Sequence, residues 1–295
     1  MDAGALRARI LELEAELQTT NALLRRRQGS SSNAGINPFA AAVTIPLGPS
    51  MHNLMLLSDS ALPLGSFAYS SGLESFLAHH KPFPSGQTSL SLFHKFLELS
   101  IQSVAYTNVP YTLAAFRDPL ELMDLDNDLD ASTPCNVARR ASIAQGRALL
   151  SVWEKAFAAT AKSQFEEGVE SVTAIEVFAR DLKIAAVSPD PLPVNGHLAP
   201  LWGVVCLALG LNLEEAGYLF LLNHAKAVLS AAVRASVMGP YMAQSILAGH
   251  ELQDLIRQSL EKVWLRQPQD AGQVVPSMDL WVGRHEMLYS RIFNS

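Results

Sequence analysis

The chain has 295 residues, 49% of them hydrophobic and only 17% charged, which is enough apolar material for one large core or two small ones. A net charge of −6 gives nucleic-acid binding no electrostatic support. The only cysteines, Cys135 and Cys206, stand in unrelated contexts, which excludes a disulfide framework and a cysteine-rich zinc site and fits a reducing compartment.

The charged fraction lies below the usual quarter, as suits a protein that buries surface in a complex. No apolar run approaches the length of a membrane span. The charged, heptad-patterned start lacks the apolar stretch of a secretory signal. A cytoplasmic location is therefore expected, with neither membrane nor nucleic acid as partner.

In chain order, residues 1–28 place Leu6, Ile10, Leu13, Leu17 and Leu24 on a and d positions, with Thr20 filling the gap. That pattern predicts a short coiled coil or a solitary amphipathic helix. Residues 29–50, rich in Ser, Gly and Pro, read as a flexible linker. From Met51 onward nearly every segment has helical periodicity, and no run shows the alternation of a sheet. The expected fold class is all-α, one multi-helix domain over residues 51–295.

Asp59 to Glu74 is the densest stretch of signals. Pro63 fixes its own φ and pushes Leu62 out of the α region, and Gly65 follows as a pivot, so a turn between two helical pieces is expected. Ser66, Ala68, Ser70, Ser71 and Gly72 form a smooth surface that another backbone can approach closely. Ser71 and Glu74 have capping-box spacing. Phe67, Tyr69 and Glu74 are the large groups on that surface. On residue types alone a tight helix crossing in the core accounts for these residues better than a docking site does.

Pro82 and Pro84 stop the helix after the turn. A long helix is expected through Leu90–Ala105, broken or kinked at Pro110. Asp118 to Pro134 reads as a solvated acidic loop. It is no EF-hand, because Leu129 and Cys135 stand where glycine and a carboxylate are needed. Arg139 to Leu150 predicts a helix with a small-residue face. Pro200 is tolerable only in a first turn, so a helix opens near Asn195–Gly203, with His197 as a capping or core residue. Leu213–Val237 and Ile246–Trp264 are further helices.

The tail, residues 276–295, carries Trp281, Leu288, Tyr289, Ile292 and Phe293 interleaved with Arg284 and Arg291. As a helix it would line His285, Tyr289 and Phe293 along one stripe. Aromatics with arginine are typical of a protein–protein hot spot. A tail docked on its own core is the equal alternative.

Catalytic motifs are missing. There is no G-x-x-x-x-G-K-[ST] phosphate loop, no G-x-G-x-x-G, no H-E-x-x-H and no G-x-S-x-G elbow. His79–His80 is the only adjacent histidine pair and has no third ligand nearby. No metal site, no directly bound cofactor and no enzymatic activity are expected.

The stretch from Asp59 to Glu74 resembles the opening signature of the UreF family at Asp59, Ser60, Pro63, Gly65, Phe67, Ser70, Gly72, Leu73 and Glu74. Ser66 and Ser71 stand where glycine is common, and Tyr69 where histidine is. The tail is similar to the family ending at His285, Glu286, Leu288, Tyr289, Ser290, Arg291, Phe293 and Ser295, with Ile292 for leucine and Asn294 for a frequent arginine. Weaker similarities fall at Arg139–Leu150, Asn195–Gly203 and Ser230–Gln244. Residues 1–50 lie outside the resemblance.

The resemblance implies an adaptor in urease maturation. Such a protein assembles with a UreD/UreH-type protein and a UreG-type GTPase to deliver nickel to apo-urease, and commonly dimerises. Nickel and GTP would be handled by the complex. Partner-binding residues would be Phe67, Tyr69, Ser70, Gly72, Glu74, His285, Tyr289, Arg291 and Phe293, with the tail ordering on the UreD/UreH-type partner. Arg234 and Arg291 are the candidates to face the GTPase. A regulator of the partner's GTP hydrolysis and a generic helical scaffold are the competing expectations.

Overall fold

A computed structural model describes residues 48–82, 86, 88–164, 169–187 and 194–295. The expected coiled coil and nearly all of the linker lie outside the described residues. Among the described residues all regular structure is helical, as the periodicity requires.

The first helix, α1 (Pro49–Ser58), begins two residues before the expected start, with Pro49 in its first turn where a missing N–H is harmless. The predicted turn follows. Gly65 is left-handed at φ 71°, and a single 3₁₀ turn spans Ser66–Ala68. Then comes α2 (Leu73–His79). The long helix α3 (Ser89–Thr107) is opened by a capping box between Thr88 and Ser91. Asn108 breaks it, and α4 (Val109–Arg117) restarts with Pro110 in its first turn.

The core is built around α9 (Leu198–Ala208), in which Leu201, Trp202, Val204, Val205 and Cys206 are all at most 1% exposed. It packs on α4, where the Thr112 hydroxyl donates to the Ala199 carbonyl at 3.1 Å. Pro200 sits in its first turn, as its chemistry demands.

Across them runs α10 (Leu213–Arg234), opened by a capping box of Asn212 and Glu215. Its 22 residues are long and apolar enough to cross a membrane, with 56% of the apolar window buried inside the fold. The expectation that no run would approach a membrane span is corrected here. A central core helix needs apolar residues on most of its faces, and so it passes the same length and composition test.

The acidic segment is also corrected. It is a 3₁₀ turn at Pro119–Glu121 followed by α5 (Leu122–Ser132). Leu122, Leu125 and Leu129 recur every three to four residues and are buried. The alternating aspartates concealed that helical stripe. Asp126 is wholly buried and turned inward. Its carboxylate accepts from the backbone N–H groups of Asn195 (2.6 Å), Gly196 (3.0 Å) and His197 (2.6 Å), just before α9. A negative charge belongs at that end of a helix.

Helix α6 (Asn136–Val152) runs on through a π-helical turn at Trp153–Phe157 into α7 (Ala158–Gln164). Gly146 lies where a Cβ would run into the Gly196 carbonyl, which explains the small-residue face of α6. Helices α8 (Val169–Ala185), α11 (Pro240–Ala248) and α12 (His250–Val263) complete the shell. Last comes α13 (Pro276–Arg284), which lies across α2 and α6.

Candidate docking face at the meeting of two motifs

Ser70 has two hydrogen bonds to Ser295, 225 residues further along the chain. Both its N–H and its hydroxyl donate to the Ser295 main-chain oxygen at 2.6 Å. The Asn294 N–H donates to the Ala68 carbonyl at 2.8 Å. Residues 288–295 thus form an irregular strap that lies along the Asp59–Glu74 turn, and the two stretches singled out by sequence become one structure.

The turn is shaped to receive the strap. Ser71 and Gly72 are both left-handed, at φ 53° and 88°. A Cβ on Gly72 would stand 3.0 Å from the Val282 side chain and 3.1 Å from its backbone nitrogen. The close approach foreseen for the small residues is therefore made by this chain's own α13, and Gly72 is not on an outer face. The expected capping box between Ser71 and Glu74 does not form. The Ser70 hydroxyl accepts from the Glu74 N–H instead, at 3.4 Å.

That leaves the Glu74 carboxylate for the strap. Its two oxygens accept from the N–H groups of Ile292 at 2.9 Å and Phe293 at 3.3 Å. His285 is fully buried, with Nε2 3.0 Å from the Phe293 carbonyl and 3.8 Å from Glu74. A carbonyl only accepts, so that nitrogen carries the proton.

Arg234 closes the joint from α10. Its guanidinium donates to the Phe67 carbonyl and lies 4.4 Å over the Phe293 ring. Partial burial lowers its pKa, but a guanidinium stays charged. Beneath the joint, Trp281 stacks edge-on against Phe76 at 4.6 Å and fixes α13 to α2.

The helical stripe expected of the tail is overturned. Past a 3₁₀ turn at His285–Met287 the chain is irregular, with bends at 289–290 and 292–293. His285 and Phe293 point inward, while Tyr289 is fully exposed. The reason is the docking itself. The N–H groups of Ile292, Phe293 and Asn294 are taken by Glu74 and Ala68 instead of by carbonyls one turn earlier, and the bends at 289–290 and 292–293 turn Phe293 inward and leave Tyr289 outside.

The expected site residues therefore divide. Ser70, Gly72, Glu74, His285 and Phe293 build the joint from inside. Phe67, 68% exposed, stands outward with Tyr289, Arg291 and Ile292. Tyr69 is half-buried and lines a partly open cavity of about 240 Å³. Beside that outward rim, the Glu286 carboxyl is held below the usual carboxylate range, chiefly by its hydrogen bond to Arg140 and then by the charges of Arg140, Arg291 and His285.

The cavity lies between α3, α6 and α10, with a mostly apolar wall that also carries polar groups of Ser103, Asn108 and Asn223. His224 lies on its wall, 2.8 Å from the Ser100 hydroxyl, and burial pushes its pKa down to about 4. Among the described residues no group of three or more His, Cys, Asp or Glu is placed to hold a metal ion.

The UreF family model matches residues 90–251, more than half of the chain, and leaves both end motifs outside it. The chain belongs to the UreF family. An uncharacterized urease accessory protein UreF-like from Schizosaccharomyces pombe is 38% identical over 83% of this chain and 97% of its own length. Urease accessory protein F from Arabidopsis thaliana is 32% identical over 81% and 90%. Urease accessory protein 6 from Cryptococcus neoformans var. grubii is 26% identical over 85% and 98%. A role as a urease accessory protein follows from this membership.

Sequence reasoning missed a second polar cluster of this UreF-family fold. The His197 ring is fully buried, with Nε2 3.1 Å from Asp130 and Nδ1 3.0 Å from the Ser142 hydroxyl. The carboxylate only accepts, so Nε2 carries the proton in the neutral ring. Nδ1 then accepts from Ser142, whose remaining lone pair receives the Leu198 N–H at 3.3 Å. Every group is satisfied, and His197 is the core histidine its sequence context suggested. The signal for its partners was the three-to-four residue spacing of leucines among the aspartates of α5.

Proposed function

We propose that the chain is a non-catalytic adaptor of urease maturation. It assembles in the cytoplasm with a UreD/UreH-type protein and a UreG-type GTPase, as a homodimer within the complex, and serves nickel delivery to apo-urease. Nickel and GTP are handled by the assembly as its cargo and its ligand. The observation that supports this most is the joint. Two motifs from opposite ends of the domain are locked main chain to main chain, and the lock leaves Phe67, Tyr289, Arg291 and Ile292 facing outward. Large exposed apolar groups beside arginine are what an interface core uses.

The experiment is co-purification by size exclusion with the UreD/UreH-type and UreG-type proteins. It compares the full chain, a chain without residues 285–295, and the point variants Arg291→Ala and Phe67→Ala. Assembly by the full chain, lost on truncation and weakened about tenfold or more by the point variants, supports the reading. Unchanged assembly in all three variants overturns the docking face.

A second reading is favoured by one observation: Arg291 is exposed and makes no hydrogen bond to the described residues. Such an arginine is available to act on a nucleotide held by a partner, in the manner of an arginine finger. Arg234, already bound to Phe67 and Phe293, is not. A single-turnover GTP hydrolysis rate that rises with the chain and not with Arg291→Ala supports regulation. Equal rates overturn it.

A further inference from the structure

Helices α3 and α10 both turn polar groups onto the cavity. From α3 come Ser100, Ser103 and Thr107, spaced three and four residues apart and so on one face, and from α10 come Asn223 and His224. Some of these groups are spent within the protein. The Asn223 amide donates to the Leu57 carbonyl at 3.0 Å, and the Thr107 hydroxyl donates to the Ser103 carbonyl at 2.8 Å. Others are not. Ser103 is only 6% exposed, and its hydroxyl has no hydrogen-bond partner among the described residues. The His224 ring meets Ser100 through Nε2, and its Nδ1 has no such partner either. Because Ser100 lies one turn from Ser103, the two open groups stand close together. A buried hydroxyl left unpaired costs free energy, so it is completed by water or by a ligand.

The rest of the wall sets the class of ligand. Val104, Leu129, Leu198 and Phe220 make it largely apolar. Asp279 is its one charged side chain among the described residues, and Gln273 already donates to it at 3.1 Å. His224 is uncharged at neutral pH, since burial lowers its pKa to about 4. A charged ligand would leave water for a wall with little to balance it. A purely apolar ligand would leave Ser103 and His224 bare. The volume of about 240 Å³ is about one and a half times the roughly 150 Å³ that holds a benzene molecule in an apolar cavity. One ring with a small polar substituent fills it.

We propose that this cavity is a binding site for a small uncharged molecule, a single ring bearing an amide-like group. The ring packs on Val104, Leu129 and Phe220, and the amide meets Ser103 and His224. An amide both donates and accepts, so it satisfies either tautomer of the imidazole. Bound there, the molecule ties α3 to α10 and stabilises the folded domain according to its occupancy. None of Phe67, Tyr289 and Arg291 lines the cavity, so the site does not depend on the docking face.

The test uses benzamide as the probe on the full chain, with benzoate and benzamidine as an anion and a cation of the same shape. Calorimetry reads the affinity, and the NMR resonances of the His224 ring read the place. Benzamide should bind saturably, with a Kd of about 1 mM or tighter, and shift the His224 resonances. Benzoate and benzamidine should bind at least about tenfold more weakly. Ser103→Ala should weaken benzamide about fivefold through the lost hydrogen bond. Ala227→Leu fills part of the cavity from α10 and should abolish binding. If Ala227→Leu does not fold, Ser103→Ala decides, because it removes only an unpaired hydroxyl. Water alone occupies the cavity, and the proposal is overturned, if benzamide shows no saturable binding up to about 10 mM. Benzoate or benzamidine binding as tightly as benzamide overturns the ligand class. Unmoved His224 resonances, or an affinity unchanged in Ser103→Ala, overturn the site.

Discussion

Two polar clusters in this fold use the same chemistry for opposite ends. Around Asp126 and His197 the partners come from α5, α6 and the turn that opens α9, and both residues are fully buried. Around Glu74 and His285 the partners are the main chain of an irregular strap, with a rim of exposed Phe67, Tyr289 and Ile292 beside them. The first cluster fixes how α5, α6 and α9 meet. The second fixes what the surface shows. A buried hydrogen-bonded carboxylate is therefore no pointer to function by itself. What distinguishes the joint is that it ties together main chain 225 positions apart, with Phe67, Tyr289 and Ile292 exposed beside the tie.

The contrast can be broken at its buried side with Asp126→Ala. It leaves buried N–H groups of Asn195, Gly196 and His197 without an acceptor, and urea denaturation should show a loss of about 3–5 kcal/mol. Next comes Gly146→Ala, which drives a methyl into the turn that carries those donors. Overpacking there should cost about 2–3 kcal/mol by the same measurement.

The cavity between α3, α6 and α10 gives a pH signature. The His224 pKa falls from 6.5 to about 4 on folding, so between those values the unfolded chain binds more protons and stability rises with pH. Stability should be full above pH 6.5 and fall as the pH drops towards 4. The loss should be about 2 kcal/mol, below the full linkage because the ring faces a cavity. A series of urea melts should show this slope in the wild type and a flatter one in His224→Gln.

The smallest effect on folding belongs to the rim. Tyr289→Ala and Phe67→Ala should shift stability by no more than about 0.5 kcal/mol, while weakening complex assembly. A large loss of stability in either would mean that the rim is part of the fold after all.

Residue pattern alone revealed much of the architecture. Helical periodicity, Pro110 at a break, Pro200 in a first turn and the Pro63–Gly65 turn are local events, governed by φ restrictions and side-chain spacing within a few residues. It also marked both halves of the joint, because large aromatics among small residues and an aromatic, arginine-bearing tail are unusual wherever they occur. Local chemistry did not reveal that the halves touch. Ser70 and Ser295 are 225 positions apart, and a hydrogen bond between main chains leaves no mark on side-chain identity.

For the same reason the tail's helical spacing misled. Its residues suit a helix, but Glu74, Ser70 and Ala68 offered its backbone better partners than its own next turn. In α5 the tertiary structure decided the other way. Four aspartates looked like a solvated loop until helix formation placed one of them under the N–H groups that precede α9. The sequence by itself determined the helices, the family and which residues were unusual. Only the tertiary structure decided which of those faced inward as clamps and which faced outward, because that choice depends on partners far away in the chain.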